Sequence, residues 1–435
     1  MKILLKTTLL ALLLLTFSCS KDDSTEQEPV VPATVTNMSP LSGPKTTVVT
    51  FTGTNFGTDI NAVQVFFDGI EATVQSVTDT QIQTVVPPRA FEGQVNLIIN
   101  GTAFNDFNFE YVIVDIEVST FAGGDGGFAD GNGTNAQFIN PLGIAKDNSG
   151  NLYIADSGNR RIRKITPDGT VSTLAGNGQQ GFADGTGENA TFIYPADVAV
   201  DNLGNIYVAD YSKIRKITPN GIVSTLAGAD AQGFADGSGI NAQFNAPQGI
   251  AVDSEGMVYV SDTNNHKIRK ITPEGIVTTI AGSTSGFNDG NASSAQFTAP
   301  YGIDIDGSGF IYIADIANSR IRRITPESTV STIAGIDAFG FVDGPSATAQ
   351  LDLPTDVTID ALGNIYITEL GNNSIRKIST NGNVTTVAGT GDNGFANGIG
   401  ATALFDQPFG LIIDDDFTIY LVDTTNHQIR KITQE

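Results

Sequence analysis

Few side chains in this sequence are suited to chemistry. Its 435 residues include two histidines, one cysteine and no tryptophan. His266, in NNHKIRK, and His427, in TNHQIRK, occupy one position of a recurring unit where other copies carry Arg160 or Ser319. A zinc ligand or a general base needs a neutral imidazole aimed at a partner set, and no such set recurs with these two. Carboxylates are plentiful: 47 Asp and Glu face 23 Lys and Arg, for a formal charge of -24. A surface of that sign repels phosphate backbones, which argues against nucleic acid as a partner. Calcium takes several oxygens from one shaped loop, and no EF-hand-like run is present. Calcium at loop aspartates therefore has no support from spacing, and no cofactor, metal ligand or catalytic residue is assigned.

The single cysteine, Cys19, directly follows an apolar stretch, Leu9 to Leu15, that is preceded by Lys2 and Lys6. The stretch is too short to span a bilayer and has the layout of an export signal. Residues 1–18 resemble a bacterial lipoprotein signal, which implies cleavage before Cys19 and lipid attachment there. Thr16 and Phe17 depart from that pattern. Residues 19–33 are polar, acidic and proline-ended and read as a flexible tether. Their SKDD start resembles the export tags of bacterial surface lipoproteins. The resulting expectation is a lipid-anchored protein exposed on the bacterial outer membrane, acting as a monomer.

What must position any site is a repeat. PLGIAKDNSGNLYIADSGNRRIRKITPDGTVSTLAG (141–176) recurs six times, opened by Pro141, Pro195, Pro247, Pro300, Pro354 and Pro408. The openings are spaced by 54, 52, 53, 54 and 54 residues. Each copy reads as four strands: a mostly apolar one such as GIAKD, then NLYIAD, RIRKIT and VSTLAG. An Asp-x-x-Gly turn and a Pro/Gly turn join the hairpins, except that copy six has Asp414, Asp415, Asp416 and Phe417 at the first turn. Copy six also ends without its fourth strand, while an orphan, EVSTFAG (117–123), precedes copy one. The orphan should complete the last copy and close a ring, which removes the exposed sheet edge. The pattern resembles the NHL repeat, and implies a six-bladed β-propeller over residues 114–435.

Residues 34–113 hold short β-branched and aromatic runs separated by Gly, Pro, Asn and Asp, the signature of an antiparallel sandwich. SPLSGP (39–44), FTGTNFG (51–57), VFFDG (65–69), SVTDTQI (76–82), VPP (86–88) and FEY (109–111) resemble the IPT/TIG immunoglobulin-like family. That resemblance implies a spacer or binding domain. The expected fold is all-β throughout.

The repeat also sorts candidate residues. Those found in every copy should build blades; a single-ligand site should use positions that differ. By that rule the GFADG-type loops (127–131 and five counterparts) are structural, with each Phe packing on a neighbour and each Asp tying loop amides. The acidic residue ending strand two and the Arg of strand three are expected to pair between blades or to cap backbone groups. The differing positions follow the opening prolines: Leu142, Ala196, Gln248, Tyr301, Thr355 and Phe409. Asp197 and Asp356 stand where other copies have Gly, and Lys146 and Asp304 add charge to inner strands. Tyr211 lies in a strand-two loop two residues shorter than that of copy one. Tyr301, Phe409, Tyr211, Asp197 and Asp356 are the expected binding rim, suited to a sugar or a cationic peptide. The function expected is non-catalytic binding of a protein or glycan. A propeller lactonase or lyase with an axial metal, and an adhesion or envelope scaffold, are the alternatives.

Overall fold

The computed structural model describes residues 31–87, 93–112 and 116–434. Cys19 and most of the tether lie outside the described residues. Two compact units are present; the second contains Tyr111 to the C-terminus, and the first most of what precedes it.

One eight-stranded sheet holds β1 (Thr34–Ser39), β2 (Ser42–Gly43), β3 (Val48–Thr54), β4 (Val63–Phe67), β5 (Ile70–Thr78), β6 (Gln81–Val85), β7 (Gly93–Ile99) and β8 (Thr102–Tyr111). Their order is β1-β3-β6-β5-β4-β7-β8-β2. Alternate residues turn inward, as a half-buried strand requires. Val49, Phe51, Val65, Phe67, Ile82, Val95 and Leu97 are buried. Phe67 and Phe109 meet edge to face, their centroids 5.2 Å apart.

The second unit is a ring of six antiparallel sheets, the blades, numbered here by their opening prolines. In blade one the inner strand is Ile144–Lys146, followed outward by Leu152–Asp156, Arg161–Ile165 and Thr170–Ala175. A fifth strand, Gly131–Asn132, borders the outer edge and pairs with Val171 and Thr170. This edge strand comes from the end of the GFADG loop and recurs in all six blades. It was not expected from the sequence, because two residues carry no periodicity.

The orphan segment forms β9 (Ile116–Gly123) and lies between Gly398–Ile399 and the C-terminal strand Gln428–Gln434 of blade six. The pairing runs from Gln428 opposite Gly123 to Gln434 opposite Ile116. The ring is closed by strands from both ends of the unit, as the sequence implied.

Blade-to-blade packing is apolar. Between blades one and two, Tyr153, Ala155 and Ile162 meet Phe192, Val198 and Val208 in one buried cluster. Each Asp-x-x-Gly turn is locked from within. Asp147 Oδ1 accepts from the Ser149 and Asn151 amides at 2.9 and 2.8 Å, while Tyr153 donates its hydroxyl to Oδ2 at 3.0 Å. Such Asx bonding frees the backbone to reverse between strands one and two. Gly150, at φ 82°, supplies the left-handed residue.

Candidate functional site

The residues common to every blade converge on one buried arginine. Arg163 is fully buried. Its guanidinium donates to Asp156 at 2.8 Å and to Asp130 at 2.7 Å, and to the carbonyls of Gln137 and Ala129. Phe128 and Phe138 cover it, with centroids 5.0 and 5.1 Å from Cζ. Arg269, Arg322 and Arg430 have the same two-ring cover. These pairs lie within a blade, not between blades: strands two and three are neighbours in the same sheet, and the Asp130 loop ends in that sheet's edge strand. The loop Phe is half-exposed and rests on the guanidinium instead of burying in the next blade. The loop Asp likewise reaches past its own loop, to Arg163 and to the amide and hydroxyl of Thr173 on strand four. Each motif is thus one pinned corner, in which the buried guanidinium is paired and every carboxylate is hydrogen-bonded.

The histidines have a backbone role. The Ala299 amide donates to His266 Nδ1 at 3.0 Å, and the Asn140 amide to His427 Nδ1 at 3.2 Å. Each imidazole thereby accepts from the first residues of the following blade. Burial, then the charge of Lys267, lowers the His266 pKa and keeps it neutral for this purpose.

Blade two breaks this pattern. With the loop shortened, Asp210 Oδ1 accepts from both Ile193 and Tyr194, at 2.9 and 2.8 Å. The counterparts of Tyr194 are Asn140, Ala246, Ala299, Leu353 and Gln407, which all have φ between 44° and 54°. Tyr194 is not among the left-handed residues. Arg160, in the preceding blade, carries only donors and cannot accept the Tyr194 amide as the histidines do for theirs. The amide turns to Asp210 instead. Burial, and then the charge of Tyr301, raises the Tyr194 hydroxyl pKa.

Tyr301 and Phe409 meet at 5.8 Å between centroids, inclined by 52°. They start the inner strands of blades four and six, at one mouth of the axial channel. Thr355, at the same position in blade five, is fully buried and bonds the Pro408 carbonyl at 3.2 Å. Tyr211 does not join them. It packs on Phe182 of its own blade's loop, centroids 6.5 Å apart.

Asp197 and Asp356 are not on the rim either. They lie deeper, in the wall of an axial cavity of about 160 Å³ that Asp304 and Lys146 also line. Asp197 accepts from Val198 of its own strand at 2.8 Å and from Ile250 of blade three at 2.9 Å. Asp356 accepts from Val357 and from Leu411 of blade six, both at 2.9 Å. Asp304 accepts from Ile305, and from Ile359 and the Thr358 hydroxyl of blade five, at 2.8, 3.1 and 3.2 Å. Their room is provided by glycine. A Cβ on Gly143 would stand 2.2 Å from Asp197 Oδ1, and one on Gly302 2.1 Å from Asp356 Oδ1. This explains why blades one and four keep Gly where the next blade has Asp.

Burial raises all three carboxyls. Asp197 rises to about 7 despite the Ile250 and Val198 amides, with the charge of Asp304 adding to the rise. Asp304 rises to about 6. Asp356 is pushed well above the usual carboxylate range by burial and then by the charge of Asp197. Lys146 lies 3.8 Å from Asp414. The opposite mouth is acidic, lined by Asp306, Asp360, Asp414 and Asp415. Among the described residues no group of three or more His, Cys, Asp or Glu forms a set that could hold a metal ion.

Comparison with known proteins agrees with this architecture. Residues 33–111 match the IPT/TIG domain family, and residues 179–236, 231–289 and 284–392 match the Teneurin NHL domain. The chain is an IPT/TIG domain followed by an NHL-repeat propeller. NHL repeat-containing protein 2 of Bos taurus is 29% identical over 331 residues, covering 66% of this chain and 45% of that protein. The chain thus spans less than half the length of this curated relative. A solved Bacteroides thetaiotaomicron protein superposes with a TM-score of 0.66 at 22% identity, over 94% of this chain and 99% of its own. An auxiliary nutrient binding protein of Bacteroides ovatus gives 0.56 at 20% identity, over 93% and 98%. At these identities the likeness to the NHL propeller is one of fold.

Proposed function

We propose that this chain is a non-catalytic binding protein of the bacterial cell surface, anchored by a lipid on Cys19. Its propeller would present a protein or glycan site at the aromatic mouth, with the IPT/TIG domain as spacer. The observation that carries this reading is the meeting of Tyr301 and Phe409 from blades four and six, at positions where the repeat is not kept. Aromatic faces held by a rigid scaffold suit a sugar ring or an apolar side chain, and tyrosine hydroxyls at their edge supply orientation. The shared fold with an auxiliary nutrient binding protein supports a binding role.

A glycan array probed with wild-type protein and with Tyr301→Ala and Phe409→Ala tests the site. Binding that drops in both variants supports it; undiminished binding in both removes the mouth as the site. For the anchor, Cys19→Ala should move the protein from the membrane fraction to the soluble one. Retention of the variant on membranes would contradict lipidation.

A further inference from the structure

The axial carboxylates do something the repeat does not need. Four of six blades have glycine where Asp197 and Asp356 stand, and Ala145, Ala199 and Ala251 occupy the register of Asp304. Each of the three nevertheless bridges two blades. One oxygen accepts from the residue after it, the other from the inner strand of the next blade: Ile250, Ile359 and Leu411. They line one cavity, so the charge of each is felt by the others. We propose that Asp197, Asp304 and Asp356 form a proton-linked clamp at the propeller axis: it ties adjacent blades through their amides, and the ring loses stability above mild acid as the clustered, buried carboxyls become charged and repel one another.

The groups facing the clamp can be named for each packed strand. Blade one brings Lys146, held by Asp414 of blade six. Blade two brings Asp197, blade four Asp304 and blade five Asp356, and blade three lines the cavity only with Ile250, Ala251 and Val252. Below them Asp306 adds negative charge against Asp304. One cation, already paired, faces three carboxyls.

The sign follows from linkage. The folded values lie above the unfolded value near 4, so the native ring binds more protons than the unfolded chain. This contribution is full below that unfolded value. It is lost as pH rises through about 6 for Asp304 and about 7 for Asp197. The clamp is independent of any ligand at the mouth.

The test is thermal unfolding of the full chain between pH 5 and pH 8, for wild type and for the triple variant Asp197→Gly, Asp304→Ala, Asp356→Gly. Each substitution installs the residue that other blades carry. Wild type should lose several degrees of Tm more than the triple variant over that range. Equal slopes, or a steeper loss in the variant, would overturn the clamp. If the triple variant does not fold, Asp304→Ala alone serves: it should flatten the slope in part, and an unchanged slope would count equally against the proposal.

Discussion

The corner arginines and the axial wall both bury charge, but in opposite ways. At five corners one guanidinium meets a buried carboxylate and a half-exposed one, and at the sixth Arg430 meets Asp423 and the Asn397 amide oxygen, all under aromatic cover. Arg322 shows the arrangement, with Asp315 at 2.7 Å and Asp289 at 2.5 Å. At the axis three carboxyls meet backbone amides and each other, and the one lysine is turned to Asp414. The corner recurs six times and sets a guanidinium against its carboxylates. The axis and its mouth are assembled once, without one. Residues that recur hold the ring; residues that differ give it individuality.

The contrast can be broken first at the corner. Arg322→Ala leaves Asp315 buried without its cation, and removing one partner of a buried pair costs about 3–5 kcal/mol. A urea midpoint close to wild type would show that the corners are not the fastening they are taken to be. A smaller effect is expected from the triple axial variant, whose unfolding should depend less on pH while remaining cooperative. The smallest is Phe395→Ala, which removes the half-exposed ring over Arg430, 4.8 Å from Cζ. A cation–π contact of this kind contributes about 0.5–1 kcal/mol. A loss as large as that of Arg322→Ala would mean that the ring, not the ion pairs, holds the corner.

Much of the fold was legible because it rests on patterns of period two and on exact recurrence. The closing strand was readable because EVSTFAG repeats VSTLAG, and copy six lacks that fourth strand of its own. The corner was recognised as structural, but its wiring was not: sequence spacing cannot say whether Asp156 meets Arg163 within a blade or across one. The mouth was half legible. Tyr301 and Phe409 stood out by position and do meet. Tyr194 was not singled out, because its departure from the left-handed backbone of its counterparts goes with a hydrogen bond to Asp210 that spacing does not show. Asp197 and Asp356 stood out as departures from glycine, but their depth depends on the space left by Gly143 and Gly302, which only coordinates show. Asp304 belongs to the same group although it occupies a different repeat position.

The account's central claim is that recognition lies where the blades differ. The most direct measurement compares two variants on one glycan array: Tyr301→Ala with Phe409→Ala at the mouth, and Phe128→Ala, Phe287→Ala and Phe395→Ala on the repeated loops. Binding lost by the mouth variant and kept by the loop variant is the predicted result. Binding kept by the mouth variant, or lost only with the loop phenylalanines, would contradict it.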